Sequence, residues 1–188
     1  MKRRKAVSTL LIGIGGAFLA PSVFLSGCKS DTKRSEFLTD DDIAILDEVG
    51  ETILPATSSS PGAKATKIGA FMKLYVTDCY SKKDQQVFIN GIAKLNELSS
   101  QKYNDDFIEL TTSQKQNVIQ SLDKQAREYS KTKKRDEPDH YFSMMRNLTT
   151  FGYFSSEIGS TKARRYISVP GHYDGNVPYH KGDKAWAS

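Results

Sequence analysis

Ile68, Phe71, Met72, Tyr75, Val76 and Cys79 fall at i, i+3, i+4, i+7, i+8 and i+11. That spacing draws one apolar stripe along an α-helix, whereas a strand would split the six between two faces. The period recurs along the chain. Thr39-Asp40-Asp41-Asp42 reads as an N-cap with acids in the first turn, and Ile43, Leu46, Val49/Gly50 and Ile53 follow before Pro55 stops the element. Ser81-Lys82-Lys83-Asp84 caps a third helix that carries Val87, Phe88, Ile92, Leu95 and Leu98. Leu110-Thr111-x-x-Gln114 has a capping-box pattern and opens a fourth, striped by Val118, Ile119, Leu122 and Ala126, with Tyr129 on the same face. A fifth begins near Pro138 and holds Tyr141, Phe142, Met145, Leu148 and Phe151/Gly152. Ala56 to Lys67, Ser99 to Asp106 and the charge run from Lys131 to Asp139 read as loops. Only Tyr166 to Val169 shows any strand character. The pattern predicts an all-α fold: a small helical domain of about five helices with a long, irregular, aromatic C-terminal tail.

A chain of 188 residues suffices for one such domain and is short for two. Its formal charge of +5 looks like an invitation to nucleic acid until it is divided. Lys2, Arg3, Arg4 and Lys5 supply four of the positive charges, and from residue 28 onward 23 basic residues face 22 acidic ones. A near-neutral domain without a one-sided basic helix argues against nucleic-acid binding.

The N-terminus reads as an address. After the basic start, Val7 to Leu25 is apolar but broken by Gly13, Gly15, Gly16 and Pro21, which favours a cleaved leader over a membrane-spanning anchor. Leu25-Ser26-Gly27-Cys28 matches the bacterial lipobox, in which the thiol receives a lipid and becomes the mature N-terminus. Arg3-Arg4, with Leu10 and Leu11 behind them, resembles a twin-arginine export signal. Residues 1–27 are thus expected to be a leader, 28–38 a tether, and 39–188 the helical domain with its tail. Cys28 is the expected lipid anchor, on the periplasmic side of a bacterial envelope. Cys79, on the stripe of the second helix, is expected to be a small buried hydrophobe.

No catalytic or metal-ligating spacing emerges. His140, His172 and His180 lack a neighbouring cysteine or paired carboxylates. Glu157 and Asp174 have no geometry that marks an acid–base pair, and Glu157 beside Gly159 is expected to end a helix or bind backbone amides. Ser155-Ser156 lacks a nucleophile-elbow context, and no glycine-rich dinucleotide fingerprint follows a strand. What the C-terminal region has instead is aromatic residues, in which disordered tails are poor. The expected docking residues are Tyr153, Phe154, Tyr166, Tyr173 and Trp186, packing on a partner or on their own domain.

Two blocks carry a family resemblance. One is Tyr141-Phe142-x-x-Met145-x-x-Leu148-Thr149-x-x-Gly152-Tyr153-Phe154-x-Ser156-Glu157-x-Gly159, followed by Tyr166 and Val169-Pro170-Gly171-x-Tyr173. The other is Ile53-Leu54-Pro55-Ala56-Thr57 with Pro61-Gly62-Ala63. Together they resemble the gluconate 2-dehydrogenase subunit 3 family over nearly the whole mature chain. Where that family's pattern carries a cysteine shortly after Val-Pro-Gly, this chain has Asn176, so no thiol role is carried over. The resemblance implies a non-catalytic accessory subunit that holds no cofactor itself. Its implied partner is a glucose-methanol-choline-type flavoprotein that carries FAD and oxidises a sugar, sugar acid or alcohol, often with a cytochrome c subunit as electron acceptor. The small subunit would help the large one fold and accompany it through twin-arginine export. The residues leave a second class open: an independent lipoprotein enzyme or ligand-binding module for a small sugar or alcohol, with a pocket between the fifth helix and the tail.

Overall fold

The computed structural model describes residues 38–169, 171–172 and 174–187. Arg3, Arg4, Cys28 and Tyr173 lie outside them. Among the described residues there are five α-helices: α1 Asp40–Ile53, α2 Ile68–Cys79, α3 Lys82–Tyr103, α4 Thr112–Thr132 and α5 Tyr141–Ser155. Short 3-10 turns at Ala63–Thr66 and Phe107–Glu109 precede α2 and α4. After α5 come a π-turn at Gly159–Ala163 and two short strands, β1 Arg165–Tyr166 and β2 Trp186–Ala187, paired in parallel.

The capping signals act as the sequence predicts. At α1 the Asp42 amide donates to Thr39 Oγ1 at 3.2 Å, while the Thr39 amide donates to Asp42 Oδ2 at 3.0 Å. At α4 the Gln114 side chain accepts from the Thr111 amide at 2.9 Å, closing a second capping box. Each box satisfies amides that a helix start otherwise leaves without partners. Leu38, placed in the tether above, is 4% exposed and belongs to the core.

α5 packs against each of the other four helices, and its buried residues lie on more than one face. Tyr141, Phe142, Met144, Met145, Leu148, Thr149, Gly152 and Tyr153 are all buried. A helix apolar on most sides belongs at the centre, with the amphipathic helices laid around it. Phe88, Ile92 and Leu95 of α3, Val118 and Leu122 of α4, and Ile68 and Met72 of α2 complete that core.

Three expectations are corrected. Ser99 to Tyr103 are helical rather than loop: Ser99 is fully buried, its hydroxyl donating to Leu95 O at 2.9 Å, and α3 stops only where Asn104 turns to φ 61°. The back-bonded hydroxyl lets a polar residue sit in a core position. Likewise α4 continues through Thr132, into the expected charged loop. Cys79 is an exposed free thiol, because α2 passes the edge of the core after Val76 and ends at Cys79 itself.

Two carboxylates tie the helices together. Glu48 of α1 accepts from Lys115 of α4 at 2.8 Å and from Lys64. Burial pushes the Glu48 carboxyl up, but hydrogen bonds from Lys115 and Lys64 outweigh it and hold it below the ordinary value of 4.5. Asp123 of α4, opposed in the same way by burial, is held below 3.8 by hydrogen bonds from Arg127 and from Arg146 of α5. At the start of α5, His140 Nδ1 accepts from the Phe142 amide at 3.2 Å, and burial, then the Lys94 charge, push the imidazole below 6.5.

All three groups are lowered in the folded state, so on acidification the unfolded chain takes up protons first. Their contribution is complete above the unfolded values and is lost as pH falls through the folded ones. The loss begins near pH 6.5 for His140 and near 4.5 and 3.8 for Glu48 and Asp123. The thermal midpoint, followed by circular dichroism, is expected to be level at neutral pH and to fall in two stages on acidification. A midpoint independent of pH across that window would contradict the assignment.

Candidate docking surface

The surface begins where α5 ends. Gly152 lets α2 and α5 approach: a Cβ there would stand 2.5 Å from the Phe71 ring and 2.6 Å from Ile68 Cδ1. One residue on, the Tyr153 hydroxyl donates to Pro61 O at 2.6 Å. The two sequence blocks that carry the family resemblance therefore meet in space. Glu51 of α1 organises the same loop from its other side, its carboxylate accepting from the amides of Ala56 and Lys64, both at 2.9 Å.

Beyond Ser155 the chain folds back on the helix end. Ser156 Oγ accepts from the Gly159 amide at 3.0 Å, the role expected of Glu157, whose side chain is exposed. A Cβ on Gly159 would overlap the Tyr153 carbonyl, so the tight π-turn requires glycine. Arg164 lays its guanidinium over the Phe154 ring, 5.0 Å from the centroid, and donates to Phe154 O. The Arg165 amide donates to Ala185 O at 2.8 Å and the Ile167 amide to Ala187 O at 2.9 Å, forming the β1–β2 ladder. The Arg165 guanidinium stacks 3.9 Å from the centre of the Trp186 ring. The tail is thus pinned at both ends of its course.

The expected docking residues separate into two groups. Tyr166 and Trp186 are 51% and 49% exposed, with Val169 and Tyr179 still more open. Tyr166 pairs with Ala187 and Trp186 with Arg165, so the two rings stand on opposite faces of the short ladder. Phe154 is half-buried under Arg164. Tyr153 is only 3% exposed and is corrected from a docking residue to a core one. Its hydroxyl is held by the carbonyl of half-buried Pro61, and its ring is in edge contact with Phe154 at 5.1 Å.

A second aromatic edge escaped the sequence analysis. Phe71, Tyr75 and Phe151 form a triangle with ring centres 5.7 to 5.9 Å apart, extended by Tyr80 in edge contact with Tyr75. Phe151 is 53% exposed and Leu74 of the neighbouring helix 62%. The available signal was Leu74, an apolar residue off the α2 stripe. Burial, then the Tyr75 and acidic neighbours, push the Tyr80 phenol up to about 12.

Among the described residues no group of three or more His, Cys, Asp or Glu side chains could hold a metal ion. No described helix is long and apolar enough to cross a membrane. Fold and surface together define a small all-α domain whose exposed chemistry is aromatic. A family model described as gluconate 2-dehydrogenase subunit 3 matches residues 40–171, well over half of the chain. The chain belongs to the gluconate 2-dehydrogenase subunit 3 family. That family is an accessory subunit of an oxidoreductase complex, working beside a dehydrogenase large subunit. No curated protein and no solved structure matches the chain.

Proposed function

We propose that this chain is a non-catalytic accessory subunit that binds, matures and helps to export an FAD-dependent sugar, sugar-acid or alcohol dehydrogenase. The large subunit is of the glucose-methanol-choline type and carries the flavin, and a cytochrome c subunit is a further partner for its electrons. Arg3-Arg4 directs the pair through twin-arginine export, and the lipidated Cys28 holds it to the membrane, facing the periplasm. The observation that carries the docking role is the set of exposed large apolar side chains, Tyr166 and Trp186 on the pinned tail, Phe151 on the central helix and Leu74 on α2. Aromatic side chains held in fixed positions lose little entropy when a partner covers them, which is why they dominate protein interfaces.

A benzophenone photocrosslinker placed at Trp186 or at Phe151 locates the partner. Irradiation of cells is expected to join either position to one flavoprotein, while the same group at exposed Lys131 of α4 gives none. Equal crosslinking from all three positions would refute the assigned surface.

A further inference from the structure

A cleft of about 450 Å³ lies, open to solvent, between the loop of residues 56–61 and the C-terminal segment. It is lined by Thr57 to Ser60, Thr161, Lys162 and Lys184, with no carboxylate among the lining residues. The Thr161 hydroxyl donates to Glu157 O at 2.7 Å and the Thr57 hydroxyl contacts those of Ser59 and Ser60 at 3.1 and 3.3 Å, which leaves their remaining lone pairs and the Ser58 hydroxyl for a ligand. Neither lysine pairs with a carboxylate among the described residues. The surrounding chain is biased the same way: residues 157–188 hold five Lys and Arg against three Asp and Glu.

Hydrogen bonds hold the walls of this open cleft. Lys184 Nζ donates to Ser59 O at 3.1 Å and to Lys162 O, so two of its three donors fix it across the opening and the third is left for a ligand. Thr57 Oγ1 accepts from the Ser59 and Ser60 amides at 3.3 and 3.1 Å, and the Thr57 amide donates to Ser60 O at 2.9 Å. This turn holds the hydroxyl row in place. Lys184 comes from beyond residue 171, outside the segment that matches the family.

We propose that this cleft binds a small polyhydroxylated anion, its carboxylate or phosphate paired with the two ammonium groups and its hydroxyls with the serine–threonine row. A neutral polyol would leave two charges without a counter-ion, and a bare anion would leave the hydroxyl row to water. The proposal does not rest on the docking role, although Lys184 lies on the same segment as Trp186 and accepts from Arg165 Nε at 2.9 Å through its carbonyl. Because the ammonium groups are solvated, the affinity is modest, with a dissociation constant of roughly 0.1 to 1 mM.

The test is a titration of the isotopically labelled full chain in detergent, read from backbone amide resonances of residues 57–60, 161, 162 and 184. The probes are a six-carbon aldonic acid, a hexose 6-phosphate, inorganic phosphate and a neutral hexitol. Saturable shifts confined to these residues are expected from the acid, the sugar phosphate or both, and the tighter of the two identifies the source of the anionic group. Lys162→Glu removes a side chain that makes no hydrogen bond among the described residues and leaves its carbonyl to Lys184, so the fold should stand. That variant is expected to weaken binding at least about tenfold. The proposal is overturned if neither sugar anion gives a saturable shift, if the hexitol or inorganic phosphate binds as tightly as they do, or if Lys162→Glu binds unchanged.

Discussion

Replacing Gly152 with valine is expected to separate α2 from α5 and cost the domain about 3 kcal/mol, lowering its melting point by roughly 6–12 °C. Two effects oppose each other at this site. Residues other than proline gain up to about 1 kcal/mol over glycine inside a helix, and that gain alone would make Gly152→Val nearly neutral or mildly stabilising. Packing decides against it. The first added carbon would lie 2.5 Å from Phe71 and 2.6 Å from Ile68, and Ile68 is fully buried with nowhere to retreat. Valine then places two more methyl groups in the same seam. Gly152→Ala should show the intermediate case, a loss of about 1–2 kcal/mol once propensity is set against overpacking. Denaturant unfolding of the three proteins measures both differences. Unfolding at wild-type stability in Gly152→Val would mean that the helices do not meet as described.

Truncation before Arg164 is expected to have the largest effect on function, and a small one on fold. It removes Arg164, β1, the intervening tail and β2, and with them Tyr166 and Trp186. The helices lose little burial: Ala187 is the one buried hydrophobic residue among those removed that the structure describes. The α5 end keeps Ser156 on the Gly159 amide and Tyr153 on Pro61 O. Helical content should therefore remain, while capture of the large subunit falls by at least about tenfold, the consequence of losing a central aromatic anchor worth 2 kcal/mol or so. Phe151 and Leu74 stay in the truncated chain and set the residual binding.

Much of the fold was legible because its rules are local. Thr39 with Asp42 and Thr111 with Gln114 announce helix starts through side chains three residues apart, and the apolar stripes name the buried faces. Failures came where the deciding contact is distant or the residue type misleads. Ser99 looks like a loop residue, but its hydroxyl bonds within the helix. The stripe told which way Cys79 points along α2, not that the core ends a turn earlier. Tyr153 is drawn inside by a carbonyl 92 positions away, which no spacing rule foresees. The parallel pairing of Arg165–Tyr166 with Trp186–Ala187 is similarly remote in sequence. For the candidate surface, Tyr166 and Trp186 were readable as aromatic residues in a tail that does not look disordered. Phe151 falls on the α5 stripe, and its exposure depends on how far the Phe71 and Tyr75 rings of α2 extend beside it.

The most direct measurement is flavin absorbance after affinity capture of the chain from its own envelope, solubilised in detergent, with the truncated chain alongside. A large polypeptide bearing flavin near one equivalent per full-length chain, and little with the truncated one, is the expected result. A colourless full-length chain that elutes alone and itself oxidises a sugar or alcohol would contradict the accessory-subunit role.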